Sequence, residues 1–317
     1  MLMKIVVVGG TGHVGTYLVP GLVTAGHEVI SVSRQKRKPY SGNTAWAYVK
    51  QLVIDREEAD SKKTFGKQIA KLSPDIVIDM ICFTPESSRL IAEALHGKVQ
   101  HFLHCGTIWV HGFSEQVPTD ETHPRKPFGD YGIKKAAIES WLLSYSGKTG
   151  FPATILHPGH IVGPGWIPLN PAGNFNPEVY KTIASGKELA LPNLGMETVH
   201  HVHAEDVAHA FIKAINHRSN SLGESFHVVS PRALTLRGYA TAMAEWFGKE
   251  AKLKFLPWEK WKLTASEKDA DATWDHIAHS PNASIEKARK QIGYNPRYTS
   301  LQAVQESVSY LLDRKLI

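Results

Sequence analysis

The feature that most constrains the fold is a glycine-rich turn near the start of the chain. KIVVVGG (4–10) is a β-branched run that ends in glycine, and GTYLVPGLVTAG (15–26) has helical character. Gly9, Gly12 and Gly15 therefore stand between a predicted strand and a predicted helix. Glycines here allow a tight turn and close approach of the backbone to a ligand, and the N-terminus of the helix favours a pyrophosphate. The pattern predicts a dinucleotide site.

Strands and helices alternate along the chain after this turn. Further strands are predicted at EVISVSR (28–34), VKQLVID (49–55), DIVIDMI (75–81), VQHFLHCG (99–106) and ATILHPG (153–159), with helices over 61–72, 86–96 and about 131–145. These strands are nearly all apolar, as in a parallel sheet that helices cover on both faces. The sequence therefore predicts an α/β fold with a doubly wound, Rossmann-type parallel sheet.

Composition changes after the strand at 153–159. GPGWIPLNPAGNFNP (163–177) is rich in proline, glycine and asparagine, which indicates a loop, whereas SFHVVS (225–230) returns to strand character. The remainder is mainly helical. We expect a dinucleotide-binding domain over 1–165 plus about 199–230, and a smaller, mainly helical substrate lobe over about 166–198 plus 231–317.

Composition also bounds the class of protein. Of 317 residues, 42% are hydrophobic and 21% charged, and no apolar stretch approaches the ~20 residues of a membrane helix. Cys82 and Cys105 both lie in apolar runs, so we expect a reducing, cytoplasmic location and no disulfide scaffold. The net charge of +6 is modest, and RQKRK (34–38) is the one dense basic block. We therefore expect a small, polar substrate and no nucleic-acid partner.

The residues at the end of the second predicted strand and just after it bear on the choice of dinucleotide. An acidic residue there would bind the adenosine ribose and favour NAD. The chain has Ser33, Arg34, Lys36 and Arg37 instead, which offer donors and positive charge to a 2′-phosphate, although the later basic residues also fit a solvated turn. From Arg34 we expect NADP to be preferred, with NAD as the alternative. Asp55, which ends the third strand, is expected to bind the adenine amino group or to cap a helix.

Two further segments carry residue types that are common in functional sites. In GDYGIKKAAIE (129–139), one helical turn separates Tyr131 from Lys135, which would put both side chains on one face. HHVHAEDVAH (200–209) concentrates histidines and carboxylates, as metal sites do. Neighbouring histidines in a strand point to opposite faces, however, so we expect no metal, and we expect Asp206 to cap the following helix.

Taken together, the motifs resemble those of the extended short-chain dehydrogenase/reductase superfamily, of the NAD(P)-dependent epimerase/dehydratase type, over essentially the whole chain. The segments that carry the resemblance are GGTGHVG (9–15), FLHCGTIWVHG (102–112), YGIKK (131–135), LHPGHIVGPG (156–165) and HHVHAEDVAHAF (200–211). The resemblance implies that Tyr131 is the catalytic tyrosine, Lys135 its partner and Thr107 the hydroxyl residue at a strand end. It also implies a homodimer that pairs the helices at about 86–96 and 130–146.

The implied chemistry is hydride transfer between a nicotinamide cofactor and a substrate carbon. A phenol with a pKa near ~10 is a poor base at neutral pH. We expect the Lys135 ammonium and a positive nicotinamide ring to lower the pKa of Tyr131, so that it can exchange a proton with the substrate hydroxyl. Thr107 would hydrogen-bond the same oxygen, and Lys135 would also hold the nicotinamide ribose.

The remaining candidate ligands are assigned by position. Cofactor ligands are expected at Gly9, Thr11, Gly12, His13, Val14, Gly15, Arg34, Asp55, Lys135 and His160. The substrate pocket is expected to include Trp109, His111, Trp166 and Asn174.

Some positions depart from the pattern of the superfamily. Ile108 and Trp109 follow Thr107 where sugar dehydratases carry an Asp-Glu pair, which disfavours dehydration. Val199 and His157 stand where nucleotide-sugar enzymes commonly carry arginine, which puts a nucleotide diphosphate-sugar substrate in doubt. The primary hypothesis is an NAD(P)-dependent oxidoreductase or epimerase acting on a secondary alcohol or ketone of a sugar-like, polar substrate. The alternative is a non-catalytic, dinucleotide-sensing or RNA-associated binding protein of the same fold.

Overall fold

A seven-stranded parallel sheet forms the centre of the structure, a computed structural model that describes residues 2–34, 39–40 and 42–317. The strands are β1 (Lys4–Val8), β2 (Glu28–Ser33), β3 (Lys50–Val53), β4 (Ile76–Asp79), β5 (His101–Cys105), β6 (Ala153–Pro158), β7 (His160–Val162), β8 (Leu189–Pro192), β9 (Thr198–Val199), β10 (His201–His203), β11 (Glu224–Val228), β12 (Leu234–Thr235) and β13 (Leu253–Leu256).

The α-helices flank this sheet and build the remainder of the chain. They are α1 (Gly15–Thr24), α2 (Arg56–Ser61), α3 (Phe65–Ala70), α4 (Pro85–Leu95), α5 (Gly129–Thr149), α6 (Glu178–Ala184), α7 (Ala204–Asn216), α8 (Arg218–Ser221), α9 (Leu236–Trp246), α10 (Trp258–Trp261), α11 (Glu267–His279), α12 (Glu286–Ile292) and α13 (Ser300–Asp313). Within the described ranges, no helix combines the length and the apolar character needed to cross a bilayer.

Strand order in the main sheet is β11-β6-β5-β4-β1-β2-β3, and each neighbouring pair is parallel. The chain runs outward from β1 to β2 and β3, then returns to add β4 on the other side of β1. At this reversal the connections leave in opposite directions and open a crevice at the carboxyl ends of the strands. The predicted doubly wound, Rossmann-type fold is confirmed.

The two faces of the sheet are buried against separate sets of helices. Along β1, Ile5 and Val7 face a core shared with α1 and α7, whereas Val6 and Val8 face a core shared with α3, α4 and α5. All four side chains are at most 1% exposed. Because both faces exclude water, β1 is apolar throughout and does not alternate with polar residues.

The region between α2 and α3 differs from the expectation of one helix over 61–72. Lys63 takes a positive φ of 52°, which ends α2. Thr64 then donates its hydroxyl to the carbonyl of Ala59, and α3 begins at Phe65. A left-handed residue cannot continue a right-handed helix, so the segment forms two short helices.

A third apolar cluster lies beside the sheet. It is built by residues of β8, α6, α9 and α13, among others, and at its centre the hydroxyls of Tyr180 and Tyr239 lie 2.8 Å apart. The segment that carries Ala288 and Ile292 packs instead with the core of α1 and α7. The division of the chain into two domains stays a prediction.

Candidate functional site

The glycine-rich turn joins β1 to α1 at the centre of the crevice. Gly9 has a φ of +87°, which favours glycine. A Cβ at position 15 would lie 2.0 Å from the carbonyl oxygen of Gly10, so α1 can begin this close to the strand only with glycine there. The turn therefore leaves room for a ligand to approach the backbone, and it fits the pyrophosphate of a dinucleotide.

A cleft of about 780 Å³ extends from this turn across the carboxyl ends of β1 and β2. Several predicted cofactor residues line it: Gly9, Thr11, Gly12, Arg34 and Asp55. It is lined as well by side chains that the sequence did not single out, including Arg56 and Phe83. A cleft lined by polar side chains and the glycine-rich turn fits the adenosine half of a dinucleotide. Lys36 and Arg37 lie outside the described residues.

Asp55 both lines the cleft and caps α2. Its carboxylate accepts the backbone N–H of Glu58 at 3.2 Å, so the capping alternative is observed. Arg34 is exposed at the end of β2. Binding of adenine by Asp55 and of a 2′-phosphate by Arg34 remain proposals.

A buried ion pair lies next to this cleft, because Arg56 also lines it. Arg56 is 7% exposed and its Nη1 lies 2.5 Å from Oδ1 of Asp79, which is fully buried at the end of β4. Nε of Arg56 also donates to Ser87 at 3.0 Å and to Asp60 at 3.2 Å. Although burial opposes it, the charges of Asp79 and its neighbours raise the pKa of the guanidinium above its ordinary value. These contacts of Arg56 connect α2 to β4 and α4 next to the cleft.

Asp79 also belongs to a group of possible metal ligands. Ligand atoms of Asp79, Cys82 and His104 lie within 4.8 Å of one another, and all three residues are buried. Arg56 already holds Asp79, and the ammonium of Lys135 donates to the carbonyl of Cys82. Two fixed positive charges at this cluster oppose a further cation.

Thr107, Tyr131 and Lys135 meet beside the cleft. Lys135 is 2% exposed, and its Nζ donates to the carbonyls of Cys82 at 2.8 Å and Cys105 at 2.7 Å. Nζ lies 5.9 Å from the ring centre of Tyr131, which is in the first turn of α5 and 43% exposed. Thr107 lies two residues after the end of β5. Its hydroxyl accepts the backbone N–H of Trp109 at 3.3 Å and lies close enough to Tyr131 to lower the pKa of the phenol. The three residues that the motifs pointed to therefore form one constellation.

In the chain by itself, Tyr131 is less acidic than an ordinary phenol. Burial of its hydroxyl, to which Cys105 adds, raises the pKa of Tyr131 to about 12, and the hydrogen bond with Thr107 opposes this only in part. Burial lowers the pKa of Lys135. The ammonium of Lys135 is directed at two carbonyls, so desolvation of the phenolate dominates. A pKa lowered by the ammonium and a bound nicotinamide ring together stays a prediction. In the chain by itself Tyr131 is a phenol at neutral pH.

Aromatic rings connect the predicted substrate residues to both parts of the site. Trp109 meets Tyr131 edge to face, with ring centres 6.1 Å apart, and lies 6.0 Å from His160. Trp166 stacks on His13 of the glycine-rich turn at 4.9 Å. Trp109 and His160 thus lie near Tyr131, and Trp166 lies near the turn. Val14 is buried behind the turn, in the core shared with α1.

Two other predicted substrate residues have protein partners. His111 is 8% exposed, and its Nε2 lies 2.8 Å from Nε2 of His227. Asn174 is 3% exposed and donates to Thr273 at 3.1 Å. Both side chains are engaged with other side chains of the protein, and their contact with substrate stays a prediction.

The histidine-rich segment at 200–209 also has structural partners. Nε2 of His200 lies 2.9 Å from the carbonyl oxygen of Ser230. The cap of α7 is His203 and not Asp206 as expected, because Nδ1 of His203 accepts the N–H of Glu205. The carboxylate of Asp206 instead accepts the backbone N–H groups of the segment before α13, at Arg297 and Tyr298.

Comparison with known proteins identifies the family. The sequence model of the NAD dependent epimerase/dehydratase family matches residues 5–87 and 84–228. The chain belongs to this family. The resemblance that the motifs carry is thereby confirmed, and the chain is assigned to a family of NAD-dependent enzymes.

Individual relatives are distant but similar over the whole chain. The chloroplast stem-loop binding protein of 41 kDa b from Arabidopsis thaliana is 25% identical, over 98% of this chain and 79% of the relative. The structure is similar to that of a UDP-glucose 4-epimerase from Thermotoga maritima, solved with UDP-glucose, with a TM-score of 0.74, 20% identity and coverage of 99% and 100%. It is also similar to a dTDP-glucose 4,6-dehydratase from Bacillus anthracis, solved with NAD, with a TM-score of 0.75, 16% identity and coverage of 99% and 98%.

Proposed function

We propose that the chain is an NAD(P)-dependent oxidoreductase or epimerase that acts by hydride transfer on a secondary alcohol or ketone of a sugar-like, polar substrate. The observation that carries this proposal is the constellation of Thr107, Tyr131 and Lys135 beside the dinucleotide cleft. Phe83 connects the two, because it lines the cleft and its ring centre lies 5.0 Å from Nζ of Lys135. Membership of the epimerase/dehydratase family supports the same chemistry.

Each residue has a distinct part in this chemistry. When bound, the nicotinamide group would supply or accept the hydride. Tyr131, a phenol at neutral pH, would donate its proton to a substrate carbonyl oxygen that Thr107 also hydrogen-bonds. Lys135 uses two of its three donors on carbonyls, which leaves one for a ribose hydroxyl. The same phenol would donate its proton in reduction of a ketone and take it back in oxidation of an alcohol.

The preference for NADP is a further part of the proposal. Arg34 is exposed at the end of β2 and lines the cleft, where it would face a phosphate on the adenosine ribose. Position 34 thus carries a positive charge in place of the carboxylate that would repel a phosphate. NAD, which was bound in the similar Bacillus anthracis structure, is the alternative cofactor.

The substrate is proposed to be sugar-like without a firmly held diphosphate. His157 stands where nucleotide-sugar enzymes commonly carry an arginine. The His157 side chain is fully buried and engaged with Glu139, so it does not reach a substrate phosphate. Val199 is also fully buried. UDP-glucose, the ligand in the similar Thermotoga maritima structure, is therefore a useful test compound against free keto-sugars.

The first experiment is to denature the purified protein and identify any released nicotinamide cofactor by mass spectrometry. Oxidised cofactor in near-stoichiometric amount supports an epimerase, whereas a site that binds added NADPH reversibly supports a reductase. Turnover of UDP-glucose and of free keto-sugars is then compared between the wild type and Tyr131→Phe, which should be at least ~100-fold slower but bind cofactor normally. Failure to bind either dinucleotide, or equal turnover by Tyr131→Phe, would refute the proposal.

An RNA-associated role is the second candidate, because one relative is named as a stem-loop binding protein. It is less well supported, since a protein without chemistry does not need Thr107, Tyr131 and Lys135 together. An RNA stem-loop added in the binding experiment tests it: saturable binding that survives ~200 mM salt would favour this role.

Assembly and location are proposed from the same evidence. A homodimer through α4 and α5 agrees with the exposed Ile133 and the half-buried Trp141 on α5. Light scattering of the wild type and of Trp141→Glu would test it, with a monomeric wild type as the contrary result. A cytoplasmic location agrees with Cys82 and Cys105, which are both free thiols.

A further inference from the structure

A buried series of side chains connects the catalytic helix α5 to the backbone of Thr107. The N–H of Thr107 donates to Nδ1 of His157 at 3.0 Å. Nε2 of His157 lies 2.9 Å from Oε1 of Glu139. Arg125 completes the series by donating to both carboxylate oxygens of Glu139, from Nη2 at 2.7 Å and from Nε at 3.0 Å.

The protonation of each member follows from its neighbours. Because a backbone N–H can donate only to an unprotonated ring nitrogen, His157 carries its proton on Nε2 and donates it to Glu139. Burial disfavours ionisation of Glu139, but His157 and Arg125 outweigh it and hold the pKa of Glu139 well below its ordinary value. Glu139 is 3% exposed and His157 is fully buried. The hydrogen bonds therefore run in one direction only, from Thr107 and Arg125 inward to the carboxylate.

Glu139 lies on the same face of α5 as the two predicted catalytic residues. Tyr131, Lys135 and Glu139 follow one another at intervals of four, which is close to one helical turn. Lys135 attaches the helix to β5 through the carbonyl of Cys105, and Glu139 attaches the next turn to β6 through His157. Consecutive turns of the catalytic helix are thus held against consecutive strands.

The backbone before Thr107 is shaped to accept the imidazole. A Cβ at Gly106 would lie 2.4 Å from Nδ1 of His157, so glycine at this position gives the ring access to the N–H of Thr107. The N–H of Thr107 is thus held by His157, while its hydroxyl accepts the N–H of Trp109 at 3.3 Å and interacts with Tyr131.

We propose that Arg125, Glu139 and His157 are positioning residues that fix the Thr107 hydroxyl against the Tyr131 hydroxyl. Glu139 and His157 are buried and Arg125 is partly buried, and the three act by holding the strand end and the helix in one relative position. The proposal rests on the function proposed above, because that function gives Thr107 and Tyr131 a common substrate oxygen.

Nuclear magnetic resonance of the full-length, isotopically labelled protein tests the proposal without a substrate. The readouts are the hydrogen-exchange rate of the Thr107 amide relative to the other amides of β5, and the ¹³Cζ resonance of Tyr131, assigned as the signal lost in Tyr131→Phe. In Glu139→Gln and His157→Leu, the Thr107 amide should exchange about tenfold faster than its neighbours, the effect of one lost hydrogen bond. The Tyr131 signal should move as it does in Thr107→Val.

Control variants separate positioning from general stability. Lys134→Gln removes an exposed ion pair with Asp130 on the same helix and should change neither readout. His157→Gln keeps an acceptor and a donor and should recover part of the wild-type values. The proposal is overturned if Glu139→Gln and His157→Leu lower the melting temperature but leave both readouts unchanged, or if Thr107→Val does not move the Tyr131 signal. Titration with NADP⁺ and with NAD⁺ is a separate measurement, and failure to bind either one would refute the proposed function and not this proposal.

Discussion

Acidification should unfold this protein, because many of its histidines are buried in the neutral form. The residues whose burial lowers the pKa to about 3 or about 4 are His13, His101, His111, His200, His201, His203, His276 and His279. Below their unfolded pKa of 6.5 the unfolded chain binds protons that the native chain does not. Stability therefore rises with pH between about 4 and 6.5, and it is lost as the pH falls through this window.

The magnitude follows from the two pKa values of one residue. For His200, with a pKa of 6.5 unfolded and about 4 folded, lowering the pH from 7 to 5 removes about 2 kcal/mol of stability. Eight such residues remove on the order of 15 kcal/mol, which equals or exceeds the total stability of most domains. We expect cooperative unfolding between about pH 6 and pH 5.

Urea denaturation at several pH values between 5.5 and 7.5 measures this dependence. In His200→Gln, the slope of the unfolding free energy against pH should fall by about 1 kcal/mol per pH unit, because one proton-binding group is removed. His96→Gln, at an exposed histidine, is the matched control and should keep the wild-type slope. A wild-type stability that does not change between pH 7.5 and pH 5.5 would refute the reasoning.

Three further predictions concern the cleft. Arg34→Ala should weaken NADP⁺ binding about tenfold and leave NAD⁺ binding unchanged in calorimetry, with the exposed Arg289→Ala as control; equal wild-type affinities would contradict the assignment. Gly15→Ala should lower both stability, by about 1–3 kcal/mol, and dinucleotide affinity, because its Cβ would lie 2.0 Å from a backbone oxygen. Asp79→Asn should lower the unfolding free energy by about 3 kcal/mol, because Arg56 would stay buried without this charged partner. An unchanged urea midpoint would contradict this and show that Asp60 alone balances the charge of Arg56.

Local patterns in the sequence predicted the fold and part of the site. The apolar strands, the glycines at the first turn and the Tyr131–Lys135 spacing are all properties of short segments. The structure has the sheet that the strands predicted, and it brings Thr107 to Tyr131 because β5 ends at the first turns of α5. The spacing could also have pointed to Glu139, which continues the same face of α5.

Other features depend on residues that are far apart in the chain. Arg56 and Asp79 are 23 positions apart, and Thr107 and His157 are 50 apart. No pattern within a segment reports such a pair. The order of strands in the sheet brings Thr107 and His157 together, because it places β6 next to β5.

The sequence by itself determined which segments form strands and helices, where a dinucleotide can approach the backbone and which residue types can transfer a proton. Those properties follow from periodicity, glycine and side-chain chemistry within a few residues. Only the tertiary structure decided the electrostatic state of the site, including the raised pKa of Tyr131 and the ionised, buried Glu139. Burial and the distance to charges set a pKa, and both depend on how the sheet and helices pack.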